Sequence, residues 1–210
     1  AAPNFAYDLY TTRIADEDLA GLNLSSARAL LNGSETVSPS TLTAFAERFL
    51  PYGLSNSAVV PVYGLAENSV ALTVPTIGAP PHVDVVRRNL FQETGEAIPT
   101  KHNDESALRF VSCGRAVAHH DIRVVDESGK RLSERQQGHI IFRGPSATTG
   151  YFRNEEATQQ LFDKDGWLHT GDLGYIAGSN LFVTGRTKDV IIRGGRNLYP
   201  HEVEASVGAL

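Results

Sequence analysis

The stretch from residue 27 to residue 67 most constrains the fold. Ala27 to Leu31 is a short apolar run ending at Asn32-Gly33, the pattern of a buried strand meeting a turn. Ser38-Pro39 then supplies a capping hydroxyl and a proline at the first helical position. Leu42, Phe45, Ala46, Phe49 and Leu50 follow at helical spacing and predict one core-facing stripe. Ala58 to Val62 is the next strand, and it runs straight into Tyr63-Gly64-Leu65-Ala66-Glu67. Strand, helix, strand, with a polar loop at the strand's carboxyl end, is how open α/β sheets build ligand sites. An α/β fold is the expectation.

The flanks read differently. Residues 16 to 24 suggest a short helix and a turn. Residues 75 to 110 carry Pro75, Pro80, Pro81 and Pro99 with little periodicity, and predict an irregular insertion with a short helix near Asp84 to Leu90. From Ser112 the pattern turns to β, with strands at Asp121 to Val125, Gly138 to Gly144, Leu181 to Gly185 and Asp189 to Arg193, and a turn at Asp126 to Gly129. Asn154 caps a short helix whose first turn holds Glu155 and Glu156. A last helix is expected over Pro200 to Leu210. The chain thus divides into an α/β portion over 1–110, a β-rich subdomain over 111–187, and a final piece over 188–210.

Composition narrows the function. A net charge of -5 and a pI near 5.8 argue against a nucleic-acid binder, which carries a basic stripe. No run approaches the roughly 20 apolar residues that span a bilayer. The single cysteine, Cys113, makes no internal disulfide, which fits a reducing compartment or at least does not require an oxidising one; a cytoplasmic location is the expectation. With no methionine anywhere, the chain reads as a piece of something longer.

Three segments carry candidate chemistry. Tyr63 to Glu67 offers a ring that could stack on a base and a carboxylate that could ligate Mg²⁺. Alone, a strand end with a half-buried tyrosine and a solvated glutamate would look the same. In Thr170-Gly171-Asp172 the aspartate suits a pair of vicinal hydroxyls, although Gly171-Asp172 could be only a β-turn. Gly185-Arg186-Thr187-Lys188-Asp189 adds a basic pair. Gly138 to Tyr151 looks structural, Trp167 looks like core packing, and Cys113 looks like a small buried residue. His119-His120-Asp121 is a poor metal site, since neighbours on a strand point to opposite faces.

In this order these segments, with Asn32-Gly33-Ser34-Glu35 before them, resemble the adenylate-forming superfamily of acyl-CoA synthetases, luciferases and adenylation domains. Within it, Ala66, the insertion at 75–110, Val111-Ser112-Cys113-Gly114-Arg115 and Gly195-Arg196-Asn197 with Tyr199-Pro200 are similar to fatty acyl-AMP ligases. The resemblance implies the later part of a large N-terminal domain, with a distorted β-barrel subdomain, and the start of a small C-terminal domain. It implies ATP or AMP stacked on Tyr63 and Gly64 beside Gly33, Ser34 and Glu35, Mg²⁺ on Glu67, and ribose on Asp172 and Arg186. Lys188 would be the hinge between adenylation and acyl transfer. The substrate implied is a fatty acid, and the acceptor is an acyl carrier protein, or CoA if the protein is an acyl-CoA synthetase. A nucleotide-binding module without chemistry is the reading from another class. The family's phosphate loop and its C-terminal lysine have no counterpart in this chain, so it is expected to have little activity alone.

Overall fold

The computed structural model describes residues 1–193, 196–198 and 200. The helix α1 spans Asn4–Arg13 and packs on α2, Pro39–Phe49, through the edge-on rings of Tyr7 and Phe45, 4.8 Å apart. Ser38 caps α2 as expected: its Oγ accepts from the Thr41 N–H at 3.2 Å. The predicted stripe is buried at Leu42, Phe45 and Phe49. Leu50 departs from it and is 62% exposed, because the chain has already passed into a 3₁₀ turn at Leu50–Tyr52. The helix α1 was not foreseen, since of its residues only Tyr7 is buried.

Two short strands, β1 (Leu30–Asn32) and β2 (Val59–Pro61), lie parallel, with Asn32 opposite Pro61. Both end at the same edge, which brings Gly33 and Val62 together; a Cβ on Gly33 would sit 2.9 Å from the Val62 carbonyl oxygen. A further pair joins β3 (Thr73–Val74) to β6 (Arg115–Ala116).

The insertion is more regular than its prolines suggested. Strand β4 (Val83–Val86) pairs antiparallel with β5 (Leu108–Val111), and α3 occupies Arg88–Thr94. The expected helix near Asp84 to Leu90 is therefore displaced: the β-branched run Val83, Val85, Val86 takes a ladder, and the helix starts after it. Phe91 and Phe110 dock this unit on Tyr175 and Phe182, whose rings stack 4.9 Å apart. At its edge Asp84 accepts from the Tyr175 hydroxyl at 2.7 Å and from Arg135 Nη1 at 2.9 Å.

The β-rich part is a four-stranded antiparallel sheet in the order β10-β9-β8-β7. It comprises β7 (Asp121–Val125), β8 (Gly138–Arg143), β9 (Leu168–Ala177) and β10 (Asn180–Arg186). Trp167 is buried, with the guanidinium groups of Arg123 and Arg143 at 4.0 and 4.7 Å from its ring centre. Asn154 caps α4 (Glu155–Leu161) by accepting from the Ala157 N–H at 3.1 Å. A hairpin of β11 (Ile191–Arg193) and β12 (Arg196–Leu198) follows. The helix expected over Pro200 to Leu210 lies, but for Pro200, outside the described residues.

Candidate nucleotide-binding site

Two segments far apart in sequence meet at one carboxylate. The hydroxyl of Tyr63 donates to Asp172 Oδ2 at 2.6 Å, and Arg186 Nε lies 3.3 Å from Asp172 Oδ1. Arg186 stands directly opposite Asp172 in the β9–β10 ladder. The sequence left Gly171-Asp172 open as a β-turn, but the backbone there is a bulge within β9. Between His139 and Ile141 on β8 the partner strand passes from Leu173 to His169, so extra residues sit on β9. Gly171, at φ 75, takes the left-handed conformation this needs. A second irregularity, between Val183 and Gly185 on β10, lies across from Gly174 and Leu173, beside the first. Bulges re-aim side chains, and these turn Asp172 and Arg186 to one spot. The Asp172 N–H donates to Thr170 Oγ1 at 3.0 Å, and Thr170 in turn donates to the Ile140 carbonyl at 2.8 Å.

Burial sets the electrostatics. Asp172 is only 8% exposed, and desolvation raises its carboxyl above the ordinary value of 3.8. The Tyr63 hydrogen bond and the Arg186 charge pull the other way, and the nearby charge of Glu67 adds to the rise. The Tyr63 phenol is pushed well up by its own burial and then by Asp172. Tyr63 itself is 8% exposed, so most of its ring packs in the core, leaving little face for stacking.

Glu67 is half-exposed in the 3₁₀ turn Ala66–Asn68. Its Oε1 accepts from the Tyr151 hydroxyl at 2.6 Å. Mg²⁺ takes oxygen ligands and keeps several waters, chemistry that a solvent-facing carboxylate can serve. Gly64 cannot carry a side chain: a Cβ would fall 1.5 Å from the Val70 carbonyl oxygen. Beyond it Ser69 and Val70 both have positive φ, 52° and 95°. That conformation is costly for a β-branched residue, and such strain gathers at functional loops.

The remaining predicted residues are looser. Gly33 is buried against Val62, while Ser34, at φ 73, and Glu35 are exposed at the same sheet edge. Lys188 is exposed in the turn after β10. Cys113 is fully buried, which pushes its thiol up to about 12 and makes it inert. Sequence reasoning gave no role to Tyr151, the end of a segment read as structural, or to His120, set aside as a poor metal ligand. The His120 Nδ1–H donates to the Ala118 carbonyl at 3.0 Å, and its Nε2 lies 2.7 Å from Ser146 Oγ and 3.1 Å from Asn68 Oδ1. Their contacts with the Glu67 turn come only from the meeting of two loops.

Comparison with known proteins gives the family. The family model of AMP-binding enzymes matches residues 1–152, and the chain belongs to that family. A Caulobacter vibrioides protein, provisionally named an acyl-CoA synthetase, is 35% identical over 97% of this chain and 36% of its own length. The long-chain-fatty-acid–AMP ligase FadD26 of Mycobacterium tuberculosis is 37% identical over 99% of this chain and 37% of its own. A solved structure from work on the fatty acyl-adenylate ligases of E. coli and L. pneumophila superposes with a TM-score of 0.93 at 37% identity, covering 99% of this chain and 38% of that one. The fold is accordingly mixed α/β, part of the N-terminal domain of an adenylate-forming enzyme. The chain spans little more than a third of these relatives' lengths, 36 to 38%. Among the described residues no helix is long and apolar enough to cross a membrane.

Proposed function

We propose that this chain is part of an ATP-dependent fatty acid adenylating ligase. The observation carrying that reading is the convergence of Tyr63 and Arg186 on the Asp172 carboxylate. The whole enzyme attacks the α-phosphorus of ATP with a fatty acid carboxylate, releasing pyrophosphate and forming acyl-adenylate. The acyl group then passes to an acceptor. Asp172 accepts hydrogen bonds from the ribose hydroxyls and Arg186 adds a donor beside them. Tyr63 borders the base with its exposed edge and holds Asp172 in place, and Gly33, Ser34, Glu35 and Gly64 shape the same rim. Glu67 is the Mg²⁺ ligand, and the ion would neutralise phosphate charge. Lys188 is the hinge, and residues 188–210 begin the smaller domain that turns about it. The acceptor in this reading is an acyl carrier protein, with CoA as the alternative if the enzyme acts like the relative named as an acyl-CoA synthetase. A cytoplasmic location suits this chemistry.

The test is fatty-acid-dependent exchange of pyrophosphate into ATP by the full-length enzyme, beside Glu67→Ala and Asp172→Ala. Exchange that requires a fatty acid and falls by about 100-fold or more in both variants supports the reading. A folded protein that exchanges with no carboxylate would leave a nucleotide-binding module instead.

A further inference from the structure

The segment Gly144 to Tyr151, which the sequence presents as a structural loop, grips the Glu67 turn along its length. The Thr148 N–H donates to the Glu67 carbonyl at 2.7 Å. Ser69 Oγ donates to the Ser146 carbonyl at 3.2 Å, and Ser146 Oγ donates to Asn68 Oδ1 at 3.1 Å. The His120 ring closes this knot and lies so near the loop that a Cβ on Gly144 would meet it at 2.0 Å. At the far end the Tyr151 N–H donates to Thr158 Oγ1 at 2.9 Å, tying the tyrosine to α4. From that anchored backbone the Tyr151 hydroxyl reaches Glu67 Oε1 at 2.6 Å.

We infer that Tyr151 is a positioning residue: its phenol holds Glu67 Oε1 and so fixes the carboxylate that would ligate a divalent cation. This rests on the reading of Glu67 as the metal ligand. A flexible glutamate on a strained turn has several rotamers to lose on binding a cation; a hydrogen bond from an anchored phenol removes that freedom beforehand. Partners that orient a ligating carboxylate typically change metal affinity by about 10- to 100-fold. Tyr151 is 41% exposed, so removing its hydroxyl leaves no cavity in the core.

The test uses Mn²⁺ as the probe, with bound metal followed by electron paramagnetic resonance in the full-length enzyme holding a non-hydrolysable ATP analogue. Tyr151→Phe weakens Mn²⁺ by about 10-fold. The metal-free affinity for the analogue and the melting temperature stay at wild-type values, and the same change made on a Glu67→Gln background adds nothing. Wild-type Mn²⁺ affinity in Tyr151→Phe, alongside a loss in Glu67→Gln, overturns the positioning role while keeping Glu67 as ligand. Unchanged Mn²⁺ affinity in Glu67→Gln overturns both.

Discussion

The Tyr63 hydroxyl and Asp172 Oδ2, 109 positions apart in sequence, are 2.6 Å apart in a buried pair. The bond joins the segment after β2 to the bulge in β9. Tyr63→Phe keeps the ring and deletes the donor, leaving a desolvated carboxylate with one partner fewer. The expected loss is about 1–3 kcal/mol of stability, read as a lower melting temperature of the full-length protein. Nucleotide affinity should fall as well, because Asp172 loses its fixed orientation.

Asp172→Asn separates stability from binding. Burial raises the folded-state carboxyl above 3.8, so Asp172 favours the fold fully only below that value, and this contribution is lost as pH rises through the raised one. Asparagine has no such dependence and can still accept from Tyr63. Wild type should therefore lose stability relative to Asp172→Asn as pH climbs from just below 4 toward neutrality, in melting curves taken at several pH values. At neutral pH the variant should be at least as stable as wild type, yet bind ATP about 10- to 100-fold more weakly, since a charge-assisted hydrogen bond contributes about 1.5–3 kcal/mol. Wild-type ATP affinity in Asp172→Asn would contradict the ribose role.

How much of this the residues announce depends on whether the cause is local. The helix α2 is legible because Ser38, Pro39 and the spacing of Leu42, Phe45 and Phe49 all agree. The helix α1 is not, because Phe5, Leu9 and Tyr10 are exposed and no single apolar stripe survives to be read. Asp172 was recognised by residue type, but its bulge was not, since a glycine before an aspartate serves a turn and a bulge equally well. Tyr151 and His120 owe their places to contacts 84 and 52 positions away, and no local pattern encodes such separations.

Gly64→Ala tests the packing of the Glu67 turn. The added methyl would lie 1.5 Å from the Val70 carbonyl oxygen, so the loop must move bodily. The expected cost is roughly 3 kcal/mol or more, with loss of nucleotide binding, because the displaced turn carries Glu67. Gly129→Ala is the control. Gly129 also has positive φ, 79°, but a Cβ there meets nothing within 4 Å, so only backbone strain of about 1–2 kcal/mol applies. Equal losses in the two variants would show that the contact with Val70 does not matter.

Asp84 is the last case, and it concerns how the inserted unit is held. Its Oδ2 accepts from both Tyr175 and Arg135, while Arg135 Nη1 also donates to the Ala97 carbonyl at 2.8 Å. One buried carboxylate thus ties β4 to β9 and to the loop before β8. Burial, then the Asp84 charge, pushes the Tyr175 phenol far up, so that hydroxyl can only donate. Asp84→Ala strands it without that acceptor, while Arg135 keeps the Ala97 carbonyl and, with a side chain 35% exposed, can turn its remaining donors to water. Removing one partner of a buried pair costs about 3–5 kcal/mol, and the exposure of Arg135 places this case at the lower end. The loss should be local. Hydrogen exchange should quicken across Val83–Val86 and Leu108–Val111 while β7 and β8 keep their protection. Exchange that quickens equally in β7 and β8 would mean that Asp84 supports the whole fold rather than the docking of the insertion.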